Sequence, residues 1–405
     1  MKITYKNIYA FSIYLVFFLN LGFLNLFGAF DRKSFLFSII ISIVTFFIYL
    51  SQPNKKNVHY PMINIYVVLA IVIFFIQLIR IRALNFTRMS LGSAFITFGG
   101  VLLLLLIFPL YELNISENTK FLKNIVFLGC SALGLRTILW LLFNFASINL
   151  APAFFAGKET WGRLIFGKYL TRLTGTFLDG FMFVYFVINF FKTKSSNKFL
   201  FFIGILYLFI YSMIIYQSRF QMLTYIIVFT IMAFILTNSV KNKFFIISFL
   251  VLLIMFCFSF LTNFFSTFSV NSVEYGGSTQ ARLDGIQYLF NEWKEISTWL
   301  GFGFRYDDET KYRWTVFYLS DYGILANLFQ LGIIGFVVYL IPFFSGIITS
   351  FRSRQNTLLM AFTIFLCIYS CSINPYLMQQ ITILPLFVGF ILCGKSKERK
   401  LGING

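Results

Sequence analysis

Long apolar runs constrain this chain more than any other feature of its sequence. Runs of about 17–25 residues, the length that a helix needs to cross the hydrocarbon core of a bilayer, recur along the whole chain. A water-soluble fold would interrupt such runs with regularly spaced polar residues. With 59% hydrophobic residues and a mean hydropathy of +0.82, the sequence predicts an all-α, polytopic membrane protein.

The runs predict about twelve transmembrane helices in a single integral membrane domain, residues 1–405. No signal-peptide cleavage site is recognised after the first run. Two segments between the spans exceed ordinary loops, at about 146–175 and about 266–322. The predicted spans are 8–30, 34–51, 62–79, 91–111, 121–145, 176–192, 199–216, 220–237, 244–265, 323–346, 358–374 and 377–393.

The distribution of Lys and Arg predicts the orientation. With both termini in the cytoplasm, the inside segments hold seventeen of these residues and the short outside loops hold six. Because the short cytoplasmic loops of membrane proteins are the basic ones, this arrangement is favoured, and it turns both long loops outward as external loops. The outside loop that contains Arg80, Arg82 and Arg88 fits this arrangement poorly.

The net charge of +19 resides in loops, so it indicates contact with lipid head groups and an anionic substrate rather than with nucleic acid. The basic residues predicted to lie inside are mostly lysines, whereas those predicted outside are mostly arginines. Arginine grips phosphate with a planar fork of donors. An outward-facing phosphate ligand is one interpretation; chance together with interfacial snorkelling is the other.

Three short motifs stand out from the apolar background. They are RLTGTFLDG (Arg172–Gly180), YQSRFQML (Tyr216–Leu223) and the second long loop, which ends in SDYGILANLFQLGIIGF (Ser320–Phe336) with its Gly-x-x-Gly. In this order, and with these loop sizes, they resemble the O-antigen polymerase and O-antigen ligase superfamily of bacterial surface-polysaccharide enzymes. The resemblance covers about residues 125–390.

The resemblance implies a substrate and a place. Family members act on glycans attached through pyrophosphate to a polyprenyl lipid in the bacterial cytoplasmic (inner) membrane, with the active site facing outward. It implies no metal and no cofactor, and it implies a flippase and a chain-length regulator as partners. Carried over by motif, the pyrophosphate ligands are Arg172, Arg219, Arg282 and Arg305. Arg219 lies in a tight turn between two apolar runs, and its alternative role is that of a snorkelling interfacial arginine.

Asp321 is the predicted catalytic residue. The ligase branch of the family begins its last loop element with His-Asn, and counting back from Leu325, Leu328 and Gly332 places Asp321 at that histidine. The only histidine of the chain is His59, so the resemblance favours a polymerase over a ligase. Asp321 could deprotonate or orient the acceptor hydroxyl; alternatively it is the N-cap of the helix that follows.

The second long loop also carries the predicted glycan contacts. Apolar residues that recur at three- and four-residue steps predict an amphipathic helix over about 280–298, which can lie on the membrane with its apolar stripe down. The acids and aromatic residues after it are the groups that bind sugars. The candidate glycan-binding residues are Trp293, Tyr306, Asp307, Asp308 and, in the first motif, Asp179.

Two charges fall within predicted spans, Arg136 and Asp179. Such charges are costly inside a bilayer and are usually paired, so these two could pair with each other. A structural role is favoured for Arg136, whereas both a structural and a site role stay open for Asp179.

The leading prediction is therefore a metal-independent glycosyltransferase that polymerises lipid-linked repeat units of O-antigen or capsular polysaccharide. An O-antigen ligase is the alternative within the family. A lipid-linked oligosaccharide flippase is the alternative from another class, but transporters show internal repeats and polar residues near the midplane. Here the polar residues are concentrated in the two long loops.

Overall fold

The architecture is taken from a computed structural model of the chain. It describes residues 4–53, 55, 60–83, 89–156, 162–165, 167–193, 197–237, 276–305, 311–312, 315–316, 319–352 and 356–400.

Helices make up most of the described structure, and most of the long ones are as apolar as membrane spans. In chain order they are α1 (Tyr5–Asn20), α2 (Asp31–Leu50), α3 (Pro61–Ala83), α4 (Leu91–Phe98), α5 (Ile107–Glu112), α6 (Thr119–Ala146), α7 (Pro152–Phe155), α8 (Asp179–Lys192), α9 (Lys198–Ile210), α10 (Arg219–Leu236), α11 (Gly276–Ile296), α12 (Leu325–Arg352), α13 (Thr357–Tyr369) and α14 (Ile383–Lys400). A 3₁₀-helical segment, Gly99–Leu106, joins α4 to α5, and a π-helical turn, Tyr211–Ile215, extends α9.

Within the described part of the chain, eight helical stretches are long and apolar enough to cross a membrane. They are Asp31–Leu50, Pro61–Ile81, Leu91–Glu112, Thr119–Ala146, Lys198–Ile215, Arg219–Leu236, Leu325–Arg352 and Met378–Ser396. The protein is thus an all-α protein with the helices of a membrane protein.

The predicted count of twelve spans is only partly tested. Besides the eight long stretches, three predicted spans coincide with shorter helices: α1 with 16 residues, α8 with 14 and α13 with 13. The predicted span 244–265 lies outside the described residues. Twelve transmembrane helices therefore stay a prediction.

A column of small residues brings α1 and α2 together. Ser34, Ser38 and Ser42 are buried at four-residue steps along α2. The Ser38 and Ser42 hydroxyls each donate to the carbonyl four residues earlier, and the Asn20 amide of α1 donates to the Ser38 hydroxyl at 2.9 Å. Small side chains at this spacing allow close helix approach in lipid, where little hydrophobic force acts between helices.

The predicted span 323–346 differs from expectation because it is broken. Gly332 has φ 69° and ψ −171° inside α12, a conformation open essentially to glycine alone. It separates a short half of α12 that is predicted to lie toward the outside, the outer half, from a long inner half. Gly332 therefore allows the backbone to leave the helical conformation, a role beyond that of a small residue inside a continuous helix.

The two long loops contain regular structure of their own. The first carries α7 and an antiparallel hairpin, β1 (Gly162–Ile165) with β2 (Lys168–Thr171), in which Gly162 faces Thr171. The second carries α11, a short pair β3 (Lys311–Tyr312) and β4 (Thr315–Val316), and the 3₁₀ turn Leu319–Tyr322.

Helix α11 covers most of the predicted amphipathic segment, but its apolar stripe has protein beneath it. Leu289 and Trp293 pack with Phe302, Tyr322 and Phe329 in a second hydrophobic cluster, separate from the main core. The expected placement of this stripe on the membrane surface therefore needs correction at Trp293, because residues after α11 fold back and cover it.

Candidate functional site

The first loop and the turn before α10 are joined main chain to main chain. After β2 the chain runs without helix from Arg172 to α8. The Leu173 N–H donates to the Ile215 carbonyl at 2.9 Å, and the buried Gln217 amide donates to the Leu170 carbonyl at 3.0 Å. These bonds hold the strand end that carries Arg172 beside the turn that precedes Arg219.

Arg219 is the first residue of α10. Ser218 caps this helix by accepting a bond from the Gln221 N–H, and Gln217 takes a left-handed conformation with φ 55°. A cation at a helix N-terminus is unfavourable for the helix itself, because the helix dipole is positive there. The positive end of the helix dipole and the guanidinium at this end together favour an anion.

Arg282 and Asp321 meet across the second loop. The Arg282 Nε donates to an Asp321 carboxylate oxygen at 3.1 Å, with 50% and 36% of the two side chains exposed. The Tyr322 hydroxyl donates to the Arg282 carbonyl at 2.9 Å, and burial raises the pKa of Tyr322 so that it keeps its proton. The Arg282 backbone is thus tied down while its side chain stays half-exposed.

The cap interpretation of Asp321 is not supported. Among the described residues, the hydrogen bond to its carboxylate comes from Arg282, whereas a cap accepts from backbone N–H groups of the first helical turn. Asp321 lies in the 3₁₀ turn, four residues before α12 begins at Leu325.

Arg172 lies near residues of both contacts described above: the contact of the first loop with the turn before α10, and the Arg282–Asp321 pair of the second loop. Burial lowers the pKa of this guanidinium; nearby Tyr216 and Asp321 oppose that shift, and nearby Arg282 adds to it. Three predicted site residues, Arg172, Arg282 and Asp321, therefore lie within electrostatic reach of one another although they come from different loops. We call this group, with the adjoining Arg219, the arginine cluster.

Arg305 forms a buried ion pair with Glu292. Its Nη1 donates to both Glu292 carboxylate oxygens, at 2.7 and 2.8 Å, and only 9% of its side chain is exposed. Its guanidinium also lies 4.3 Å from the centroid of the Phe302 ring. This buried pair ties α11 to the segment after it, which favours a structural role over the predicted pyrophosphate contact.

The predicted glycan contacts separate in the structure. Trp293 is 9% exposed and packs against Phe290 edge to face, so its ring is covered by protein. Asp179 is 2% exposed and accepts bonds from the Thr176 N–H and hydroxyl, which ties the start of α8 to the segment before it. Both geometries favour structural roles. Tyr306, Asp307 and Asp308 lie outside the described residues.

Arg136 has the structural role that its position in a span suggested, but its partner is not Asp179. Its Nη1 donates to the Thr174 and Gly175 carbonyls at 2.6 and 2.7 Å, and its Nη2 donates to the Leu21 carbonyl at 3.0 Å. Non-helical backbone beside a membrane must have its polar groups satisfied by protein. Arg136 does this for the segment that enters α8.

The sequence reasoning missed a second such arginine. Arg80, near the C-terminal end of α3, donates through Nη1 to the Leu300 carbonyl and through Nη2 to the Gly301 carbonyl. The signal was present in the sequence, because Arg80 lies in the loop that fitted the orientation poorly. This arginine makes a specific tertiary contact that the positive-inside rule does not consider.

These contacts place the loops predicted to face outward on one side of the molecule. The Ile324 N–H donates to the Ser370 carbonyl after α13, and the Gln379 amide donates to Asp31 at the start of α2. Among the described residues, no group of three His, Cys, Asp or Glu side chains that could hold a metal ion is found. The arginine cluster offers partly exposed cations and one partly exposed carboxylate, a set suited to a polyanion beside a polar reacting group.

Comparison with protein-family models, with curated proteins and with solved structures finds no match to this chain.

Proposed function

We propose that the chain polymerises lipid-linked glycan repeat units of O-antigen or capsular polysaccharide in the cytoplasmic membrane of a bacterium, with both termini inside and the arginine cluster outside. The observation that carries this proposal is the convergence of Arg172, Arg282 and Asp321 beside the turn of Arg219. Arg172 lies in the first stretch of the family resemblance, Arg219 in the second, and Arg282 and Asp321 in the second long loop. They lie far apart in the sequence, and nothing in the sequence alone requires them to meet.

In the proposed reaction, a hydroxyl oxygen at the non-reducing end of a new repeat unit attacks the anomeric carbon of the growing chain. The bond from that carbon to the pyrophosphate oxygen breaks, and the hydroxyl proton passes to Asp321. Polyprenyl pyrophosphate leaves with the negative charge that develops on its oxygen. Fixed cations stabilise such a charge best when they are in place before the reaction, which is the role proposed for Arg172 and Arg219.

In this scheme Arg282 can pair with either of two anions, the Asp321 carboxylate or the pyrophosphate of the donor. In the structure it holds Asp321, and an ion pair this exposed contributes only about 0–1 kcal/mol. A pyrophosphate group, with more negative charge, would draw Arg282 away at little cost. Asp321 would then be released for the acceptor hydroxyl only when the donor is bound.

The function is tested by comparing lipid-linked and surface glycans in strains with and without this protein. Loss of a polymerase collapses the glycan ladder to a single repeat unit. Loss of a ligase leaves lipid-linked polymer but no surface glycan, and loss of a flippase leaves single repeat units in the inner leaflet. Either of the last two outcomes, or an unchanged ladder, would refute the polymerase proposal.

Arg219→Lys tests the pyrophosphate contact. Lysine keeps the charge but loses the fork that binds two phosphate oxygens, so we expect most polymer to be lost while the amount of protein is unchanged. A snorkelling arginine would be replaced well by lysine. The measurement is polymer length on a glycan gel beside an immunoblot, with Arg32→Lys, an exposed arginine, as the matched control. Wild-type lengths in Arg219→Lys would remove Arg219 from the site.

A further inference from the structure

On both sides of the break in α12, the helix backbone forms hydrogen bonds with the backbone of the second loop. The Phe302 and Gly303 N–H groups donate to the Phe329 and Gln330 carbonyls, at 2.9 and 3.0 Å, at the end of the outer half. At the start of the inner half, the Ile333 and Ile334 N–H groups donate to the Thr298 and Trp299 carbonyls, at 3.1 and 3.3 Å. We call Thr298–Gly303 the inserted segment.

The inserted segment fits only because glycines line the contact. A Cβ on Gly301 would come within 2.5 Å of the Phe329 and Gln330 carbonyl oxygens, and a Cβ on Gly332 would overlap the Trp299 carbonyl. Gly301 and Gly303 also have positive φ, 67° and 86°. Two main chains thus lie against each other without intervening side chains.

The middle of the inserted segment turns its carbonyls toward α3. Arg80 Nη1 donates to the Leu300 carbonyl at 2.6 Å and Nη2 donates to the Gly301 carbonyl at 2.9 Å. The fully buried Gln77 donates to the same Leu300 carbonyl at 2.8 Å and accepts from Arg80 Nη1 at 3.0 Å. Two side chains of one helix therefore satisfy two successive carbonyls.

The geometry needs an arginine. A buried carbonyl without a donor costs about 1–3 kcal/mol, and the two acceptors here are adjacent along the chain. The planar guanidinium presents two donors at a fixed spacing, which a lysine ammonium cannot do. A positive charge at the outer end of a span also runs against the positive-inside tendency, so orientation in the membrane does not explain Arg80.

The inserted segment is continuous with the elements that carry half of the arginine cluster. It follows directly from α11, and its Phe302 packs with Leu289 of α11 and with Tyr322 beside Asp321. Tyr322 in turn donates to the Arg282 carbonyl. Displacing the inserted segment would therefore move Arg282 and Asp321 together, whereas Arg172 and Arg219 are anchored to other elements.

We infer that Arg80, assisted by Gln77, is a positioning residue that sets the place of the Arg282–Asp321 pair relative to Arg172 by clamping the inserted segment. The effect on glycan transfer rests on the function proposed above. The clamp itself does not, because it can be measured without any substrate.

The test uses the purified full-length protein in lipid nanodiscs, as wild type, Arg80→Lys, Gln77→Leu and the control Arg32→Lys. Hydrogen–deuterium exchange is followed in peptides from the inserted segment and from α11. In Arg80→Lys we expect exchange there to rise about tenfold, the effect of losing one charge-assisted hydrogen bond, with α1 and α2 unchanged. Gln77→Leu keeps the Arg80 guanidinium and is expected to give a smaller rise in exchange in the same peptides. This variant tests the clamp if Arg80→Lys fails to fold.

A second readout separates positioning from a general loss of structure. With lipid-linked repeat units as substrate, Arg80→Lys is expected to lower kcat by about tenfold or more, since small displacements of reacting groups are costly. KM for the donor is expected to change less than kcat, because two of its three proposed pyrophosphate ligands, Arg172 and Arg219, are intact.

Two outcomes would overturn the inference: unchanged exchange of the inserted segment in both variants, or a rise spread equally over all helices. If the wild-type protein transfers no glycan, the proposed function fails, and the exchange data still decide whether the clamp exists.

Discussion

Gly332→Ala is expected to disrupt the contact between α12 and the inserted segment. At φ 69° and ψ −171° an alanine is strained by about 1–3 kcal/mol. Its Cβ would also overlap the Trp299 carbonyl, so the inserted segment must move and its four main-chain bonds across the break are weakened. Each such bond contributes about 1 kcal/mol, so the total loss is several kcal/mol.

Thermal unfolding in detergent measures this loss. We expect the Tm of Gly332→Ala to fall by roughly 5 °C or more, or the monodisperse peak in size-exclusion chromatography to disappear. Gly134→Ala is the matched control, because Gly134 lies inside α6 and an added Cβ meets no atom within 4 Å. Equal Tm values for the two variants would show that α12 is not broken at Gly332.

Asp321→Asn is expected to have the largest effect on activity. The change keeps the shape of the side chain but removes the charge that a base requires, and general acid–base catalysis contributes about 10²-fold or more. Its effect on stability is expected to be small, because the half-exposed pair with Arg282 contributes about 0–1 kcal/mol. We therefore predict a normal amount of protein and almost no polymer.

The assay is an immunoblot beside the glycan ladder in one strain. Asp284→Asn is the control: its carboxylate accepts a bond from Gln280 on the surface of α11 and lies outside the arginine cluster. A normal ladder in Asp321→Asn would exclude Asp321 as the base. Asp307, Asp308 and Glu309 would then be the next acids of the second loop to test.

The sequence by itself determined which segments are helical and apolar. Helices occur at every predicted span within the described residues, and α11 occurs where three- and four-residue spacing indicated it. Such features are predictable because the transfer of a side chain into lipid, and the face of a helix on which it lies, depend on residues close together in the chain. The start of α8, at Asp179 rather than at 176, and the break in α12 were not predicted, because both depend on backbone bonds to distant segments.

Tertiary structure alone decided what each polar residue in these helices and loops does. Arg305 and Arg172 look alike in the sequence, yet one is buried against Glu292 and the other lies near Asp321. Arg80 and Arg136 each satisfy carbonyls of a loop remote in sequence. A guanidinium in a low-dielectric environment must find partners wherever the fold brings acceptors within about 3 Å. Hydropathy can show that such a residue needs a partner, but only the packing of distant segments determines which partner it has.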